Sequence, residues 1–163
     1  MSGFLDVPPQ PTAIVITEDG GGLVEKYREA AYQYRLEGRQ VKILGSCRSA
    51  CILALSVPDV CVGPEAVIMA HHAYGLYSGK IKPDTTKAIL DELPDNISRV
   101  IGPNIRKEYN EGATLTYGEL RALGVPKCDR EASTPRTAIR KPDSAVARDP
   151  FISRILNMFM GSL

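Results

Sequence analysis

The sequence is short of several things, and each shortage removes a class of function. Its charges nearly cancel, 20 basic against 19 acidic side chains for a formal net charge of +1. It therefore has neither the basic footprint that nucleic acid selects nor an acidic tail, and no nucleic-acid partner is expected. No stretch approaches the roughly 18 consecutive apolar residues of a membrane span, and the opening MSGFLDVPPQPT lacks the charged start and apolar core of a secretory signal. As written, the chain reads as cytoplasmic and without a transmembrane segment. Four cysteines in 163 residues are too few for a disulfide scaffold, and in a reducing compartment they are expected as thiols. A Cys47–Cys51 bridge would require a processed or exported form. Only two histidines occur, His71 and His72.

What is present suffices for one domain. The 44% apolar content supports a core at this length. TAIVIT (12–17) reads as a buried strand running into the Gly20-Gly21-Gly22 turn. Leu23, Tyr27, Ala31 and Tyr34 recur at helical spacing, and Gly38 stands where that helix should stop. QVKILG (40–45) is a second strand, so the opening is a strand–helix–strand unit, which favours a parallel sheet. After a turn at Gly45, Ala50–Leu55 is expected as a buried helix beginning near Ser49, followed by strands at VCVG and AVIMAHH. Residues 83–109 carry helical spacing broken at Pro94 and Pro103. Thr116 with Glu119 three residues on has the spacing of a capping box.

Residues 1–128 thus form the expected α/β domain. From 129 to 150 the composition shifts to Ala, Ser, Thr, Pro and Arg, a flexible linker. FISRILNMFM then restores amphipathic spacing within 151–163, a helix suited to docking on the domain, a sister subunit, another protein or a membrane surface.

Three chemistry-bearing features follow in order: a strand ending in glycines, a strand ending in Gly45-Ser-Cys-Arg-Ser49-Ala50, and a strand ending in His71-His72. In a parallel sheet they meet near the carboxyl ends of the strands, where α/β folds place their sites. A serine at a helix start lies near free backbone N–H groups, and a histidine from a neighbouring strand can take its proton. Ser49 as a plain helix N-cap is the competing reading. Cys47, Cys51, Cys61 and His71 have ligand chemistry for zinc, but their spacing matches no finger, so no metal is expected. Cys47 as nucleophile lacks a base of its own. The glycine triplet is not followed by the Lys-Ser/Thr of a phosphate loop, so no nucleotide cofactor is implied. Arg48 is either a solvated charge or a subsite for an acidic group.

ITEDGGGLVEKYREAAYQYRLEG, then CRSACILAL, then AVIMAHH resemble the ClpP-like branch of the ClpP/crotonase superfamily. The resemblance covers roughly residues 12–126, because ATLTYGELRALGVP is similar to the family's closing helix-and-turn segment. It implies a spiral of short, mostly parallel strands with flanking helices and a serine peptidase site without cofactor. Ser49 would be the nucleophile and His71 the base, with the oxyanion held by N–H groups of Ala50 and of the Gly20-Gly21 turn. Peptide or protein substrates and a homo-oligomer are further implications. The sequence departs from the family in having Glu18-Asp19 where Ser-Pro precedes the glycines, and Asn110-Glu111-Gly112 where an Asp completes the triad. Glu111, with Asn110 close behind, is the expected orienter of His71. The missing Asp and an abbreviated N-terminal segment also fit the alternative, a ClpP-fold protein with little or no activity that serves in assembly and docks through 151–163.

Overall fold

The structure is a computed structural model, and it describes residues 1–129. Most of the 129–150 linker and all of the 151–163 helix expected from the sequence lie outside the described residues.

β1 (Ile14–Asp19) alternates, with Ile14 and Ile16 fully buried. It runs parallel to β2 (Val41–Arg48), pairing Ile14 with Val41 and Ile16 with Ile43 before the register shifts ahead of Glu18. Gly45 sits against that irregularity. A Cβ there would stand 2.1 Å from the Thr17 carbonyl oxygen, so the position admits only hydrogen. The turn expected after Gly45 is therefore absent: the glycine lets two backbones touch, and β2 continues to Arg48.

α1 (Val24–Glu37) joins the two strands, burying Tyr27, Ala31 and Tyr34 on one stripe and ending at Gly38 with φ 61°. In that left-handed cap the Gly38 N–H donates back to the Arg35 carbonyl. Along its other edge β2 carries two short strands in succession. β3 (Val60–Val62) lies beside Val41–Ile43, and β4 (Val67–Met69) beside Ser46–Arg48, both parallel. β5 (Thr114–Thr116) closes the sheet antiparallel to β4. The architecture is mixed α/β with a small, mostly parallel sheet.

Between β2 and β3, Ser49–Ser56 winds as the expected buried helix, in 3-10 form. Ala50–Leu55 is buried throughout, which explains why its apolar pattern showed no period. α2 (Pro83–Glu92) and α3 (Asp95–Ile101) are separated at Pro94, as expected. α4 (Tyr117–Ala122) starts with the complete Thr116/Glu119 capping box, and the Thr116 N–H and hydroxyl, both donating to Glu119 Oε2, hold that carboxyl below its ordinary range.

The expectation of free thiols is overturned. Cys47 is bonded to Cys51 and Cys61 to Cys128. The second bond fastens β3 to the strand-like segment after α4, where Val62 N–H donates to Pro126 O and Cys128 N–H to Val62 O. The N-terminus also joins the core. Phe4 is fully buried, stacked on Tyr27 and edge-on to Tyr34.

Candidate active site

β2 ends with Arg48 in an extended conformation, and the next residue, Ser49, has φ 55°. Among the described residues it is the one non-glycine at positive φ. Such backbone costs an ordinary L-residue on the order of 1–3 kcal/mol and persists only where its surroundings enforce it. A serine raised on a tight strand-to-helix turn is the geometry of a nucleophile elbow. The N–H of Ala50, in the first turn of the 3-10 helix, has no intrahelical acceptor and is free for a substrate oxygen.

The glycine turn after β1 packs directly on this elbow. Gly21 has φ 83°, and a Cβ on it would lie 2.6 Å from Ser49 Cβ, 2.7 Å from Arg48 O and 2.9 Å from Ala50 N. Only glycine allows that approach. Gly20 has open space where its Cβ would be. The Gly21 N–H, however, is already occupied. It donates to Asp19 Oδ1 at 2.8 Å, so the donor expected to face the oxyanion is held within the turn.

Glu18 and Asp19, just ahead of the glycine turn, both have partners. Asp19 is buried and accepts three hydrogen bonds, from Gly21 N–H and Tyr27 Oη on Oδ1 and from Phe4 N–H on Oδ2. One carboxylate thereby ties the N-terminus, the glycine turn and α1 together. Burial first, then the Asp19 carboxylate, pushes the Tyr27 phenol far above its ordinary value. Glu18 lies 3.6 Å from Arg48 Nη2, while Arg48 Nε is buried without a hydrogen-bond partner.

His71 follows β4 rather than lying on it. Its Nδ1 is 2.8 Å from the His72 carbonyl oxygen. A carbonyl only accepts, so Nδ1 carries the proton and Nε2 keeps its lone pair, the tautomer of a general base. Two phenol rings bracket the imidazole, Tyr109 edge-on at 4.9 Å and Tyr74 at 5.3 Å. Burial raises the Tyr109 phenol above its ordinary value, with nearby Arg48 pulling the other way. His72 donates its backbone N–H to Arg106 O, and its own Nδ1 is buried and unpartnered.

Ser49, Ala50 and His71 line one pocket together with Ile52, Ile89 and Ile105. Its free volume is about 20 Å3, room for one water-sized group. No hydrogen bond joins Ser49 Oγ to His71, a bond that in free enzymes is often long and tightens on substrate. Glu111 is elsewhere. It lines a separate groove with Met69, Asn110 and Glu119, and the His71 nitrogen it was expected to orient is taken by the His72 carbonyl. Asn110 does not take the role either, since its amide donates to Asn104 O and its Oδ1 is buried without a partner.

Sequence reasoning missed Asp19, the His72 carbonyl and Tyr109. Asp19 was legible as an Asx residue two before a glycine N–H, while a backbone acceptor has no sequence signal. With all four cysteines in disulfides, the thiolate ligands of the alternative zinc reading do not exist, and among the described residues no group of three or more metal-ligating side chains converges. No helix among them is long and apolar enough to cross a membrane. No protein-family model matches the chain, and no curated protein matches it significantly.

Proposed function

We propose that the protein is a serine hydrolase of ClpP-like type, acting on peptide bonds through a Ser49–His71 dyad. The observation that carries this reading is Ser49 at positive φ on a strand-to-helix elbow, sharing a pocket with a histidine whose free nitrogen is the basic one. Ser49 Oγ attacks the carbonyl carbon as His71 Nε2 takes its proton. The Ala50 N–H receives the negative charge on the carbonyl oxygen. His71 then protonates the leaving amine, and water, deprotonated by the same nitrogen, releases the acyl group. The His72 carbonyl fixes the tautomer, the role a carboxylate has in a full triad. It carries no full charge to stabilise the imidazolium, and the Gly21 donor is engaged by Asp19, so turnover is slow. Removing one oxyanion donor alone costs about 10²–10³ in rate.

Two disulfides suit an oxidising compartment better than the cytoplasm the sequence suggested. We assign the protein there.

A second reading has its own support. The absent carboxylate on His71 and the occupied Gly21 N–H favour a ClpP-fold assembly component without efficient hydrolysis. One experiment separates the two: incubation with a fluorophosphonate and peptide mass spectrometry on wild type, Ser49→Ala and His71→Ala. The hydrolase carries an adduct on Ser49 that vanishes in Ser49→Ala and forms at least about 10²-fold more slowly in His71→Ala. A folded wild-type protein that stays unlabelled sinks the hydrolase reading and leaves the assembly role.

A further inference from the structure

We infer that the Cys47–Cys51 disulfide is a positioning device for Ser49, clamping both shoulders of the elbow so that the serine keeps its left-handed backbone. The inference rests on the nucleophile reading above. The bond has a sequence separation of four with Ser49 midway between its ends, joining the end of β2 to the first turn of the 3-10 helix. Both cysteines are fully buried.

The sheet fixes the strand before Ser49 and the core fixes the helix after it, but no side-chain hydrogen bond spans the elbow itself. The residue that caps the 3-10 helix, Arg48, offers no side-chain hydrogen bond to it. Ser49 Oγ has no hydrogen bond to any other described residue, which leaves the oxygen available for chemistry but gives the backbone no local anchor. An unrestrained serine relaxes toward negative φ. Gly21 presses on the elbow from one side. The disulfide links the residues two before and two after Ser49, within the core. A covalent link across so short a loop removes less entropy from the unfolded chain than the one across 67 residues, and it acts directly on the local geometry of Ser49.

The test compares two double variants, Cys47→Ala/Cys51→Ala and Cys61→Ala/Cys128→Ala, with wild type. The readout is the second-order rate of fluorophosphonate attachment to Ser49 per folded molecule, measured across pH beside thermal unfolding. The first variant is expected to label at least tenfold more slowly at every pH, with the midpoint of the pH profile unmoved because His71 lies on another segment. The second is expected to label like wild type although it unfolds at lower temperature. Equal labelling of the first variant and wild type overturns the positioning role and leaves the nucleophile reading intact. So does a loss of labelling that only tracks the loss of folded protein in both variants. A wild type that does not label removes the nucleophile reading, and this inference falls with it. Should the first variant fail to fold, wild type is equilibrated in graded dithiothreitol buffers and each disulfide quantified by differential alkylation. Labelling should then follow the fraction of Cys47–Cys51 bond; following the other bond, or neither, overturns the proposal.

Discussion

The two halves of β2 use the same hydrogen-bond ladder for different ends. Val41–Ile43 lies between β1 and β3, with Val41 and Ile43 fully buried, and ordinary apolar packing fills the space. Past Gly45, Ser46–Arg48 lies between β1 and β4, beyond a register shift, and leads into a serine at positive φ held by a glycine contact. The disulfides divide in the same way. Cys61–Cys128 closes a separation of 67 residues and Cys47–Cys51 one of four. On the chain-entropy account that is worth about 4 kcal/mol against about 2 kcal/mol. One half of the strand supports the stability of the fold, and the other shapes one residue.

Gly45, at the boundary, should show the largest effect. Gly45→Ala forces a methyl group into the Thr17 carbonyl and is expected to cost on the order of 4 kcal/mol, read as a fall in the denaturant midpoint. A loss under about 1 kcal/mol would show that the two strands separate easily and that the boundary is soft. Next, Ile43→Ala should cost about 3 kcal/mol by cavity formation, with Ser49 labelling per folded molecule unchanged. If labelling falls too, the halves are coupled and the division fails.

Asp19→Asn should cost about 2 kcal/mol, because an amide nitrogen must then face an N–H or O–H donor that the carboxylate accepts. Unlike Ile43→Ala, it should also alter Ser49 labelling through the Gly21 turn. Wild-type labelling would make Asp19 a purely structural group. The smallest effect belongs to the capping box, which β4 separates from the second half of β2. Thr116→Ala should cost about 1 kcal/mol. Since the folded state holds the Glu119 carboxyl below its ordinary value, the box stabilises the protein above the unfolded carboxyl's pKa and loses that contribution as pH falls through the folded one. Glu119→Gln should remove this part of the acid sensitivity, checked by unfolding midpoints across acidic pH.

Much of the fold was legible because local chemistry decides it. The β-branched run of β1, the Tyr27-Ala31-Tyr34 stripe ending in Gly38, the break at Pro94 and the Thr116/Glu119 box each follow from neighbours in sequence. Order and spacing single out Ser49 and His71 in the sequence, and in the structure the two line one pocket. What was not legible depends on partners far along the chain. Gly45 looked like a turn because glycine commonly is one, and only the Thr17 carbonyl from β1 explains it. Three residues of β5 carry too little pattern to register, and they exist as a strand because β4 offers an edge. Phe4 gave no sign that it would fill a slot between two tyrosines. The oxidised state of the cysteines was not legible because thiol or disulfide depends on the redox compartment and, for Cys61, on a partner 67 residues away.

The long disulfide also sets an order for how the molecule is made. As the chain grows from its N-terminus, Cys47 and Cys51 emerge together and their partner is at hand. Cys61 follows soon after, but Cys128 comes 67 residues later, and during that interval Cys51 is the nearer mate. Thiol exchange is slow compared with chain folding, so a premature Cys51–Cys61 link would strand Cys47 and keep the loop around Ser49 from closing. Native pairing of all four cysteines is therefore complete only after Cys128 has been made, and any earlier Cys51–Cys61 link must be exchanged before the elbow can close.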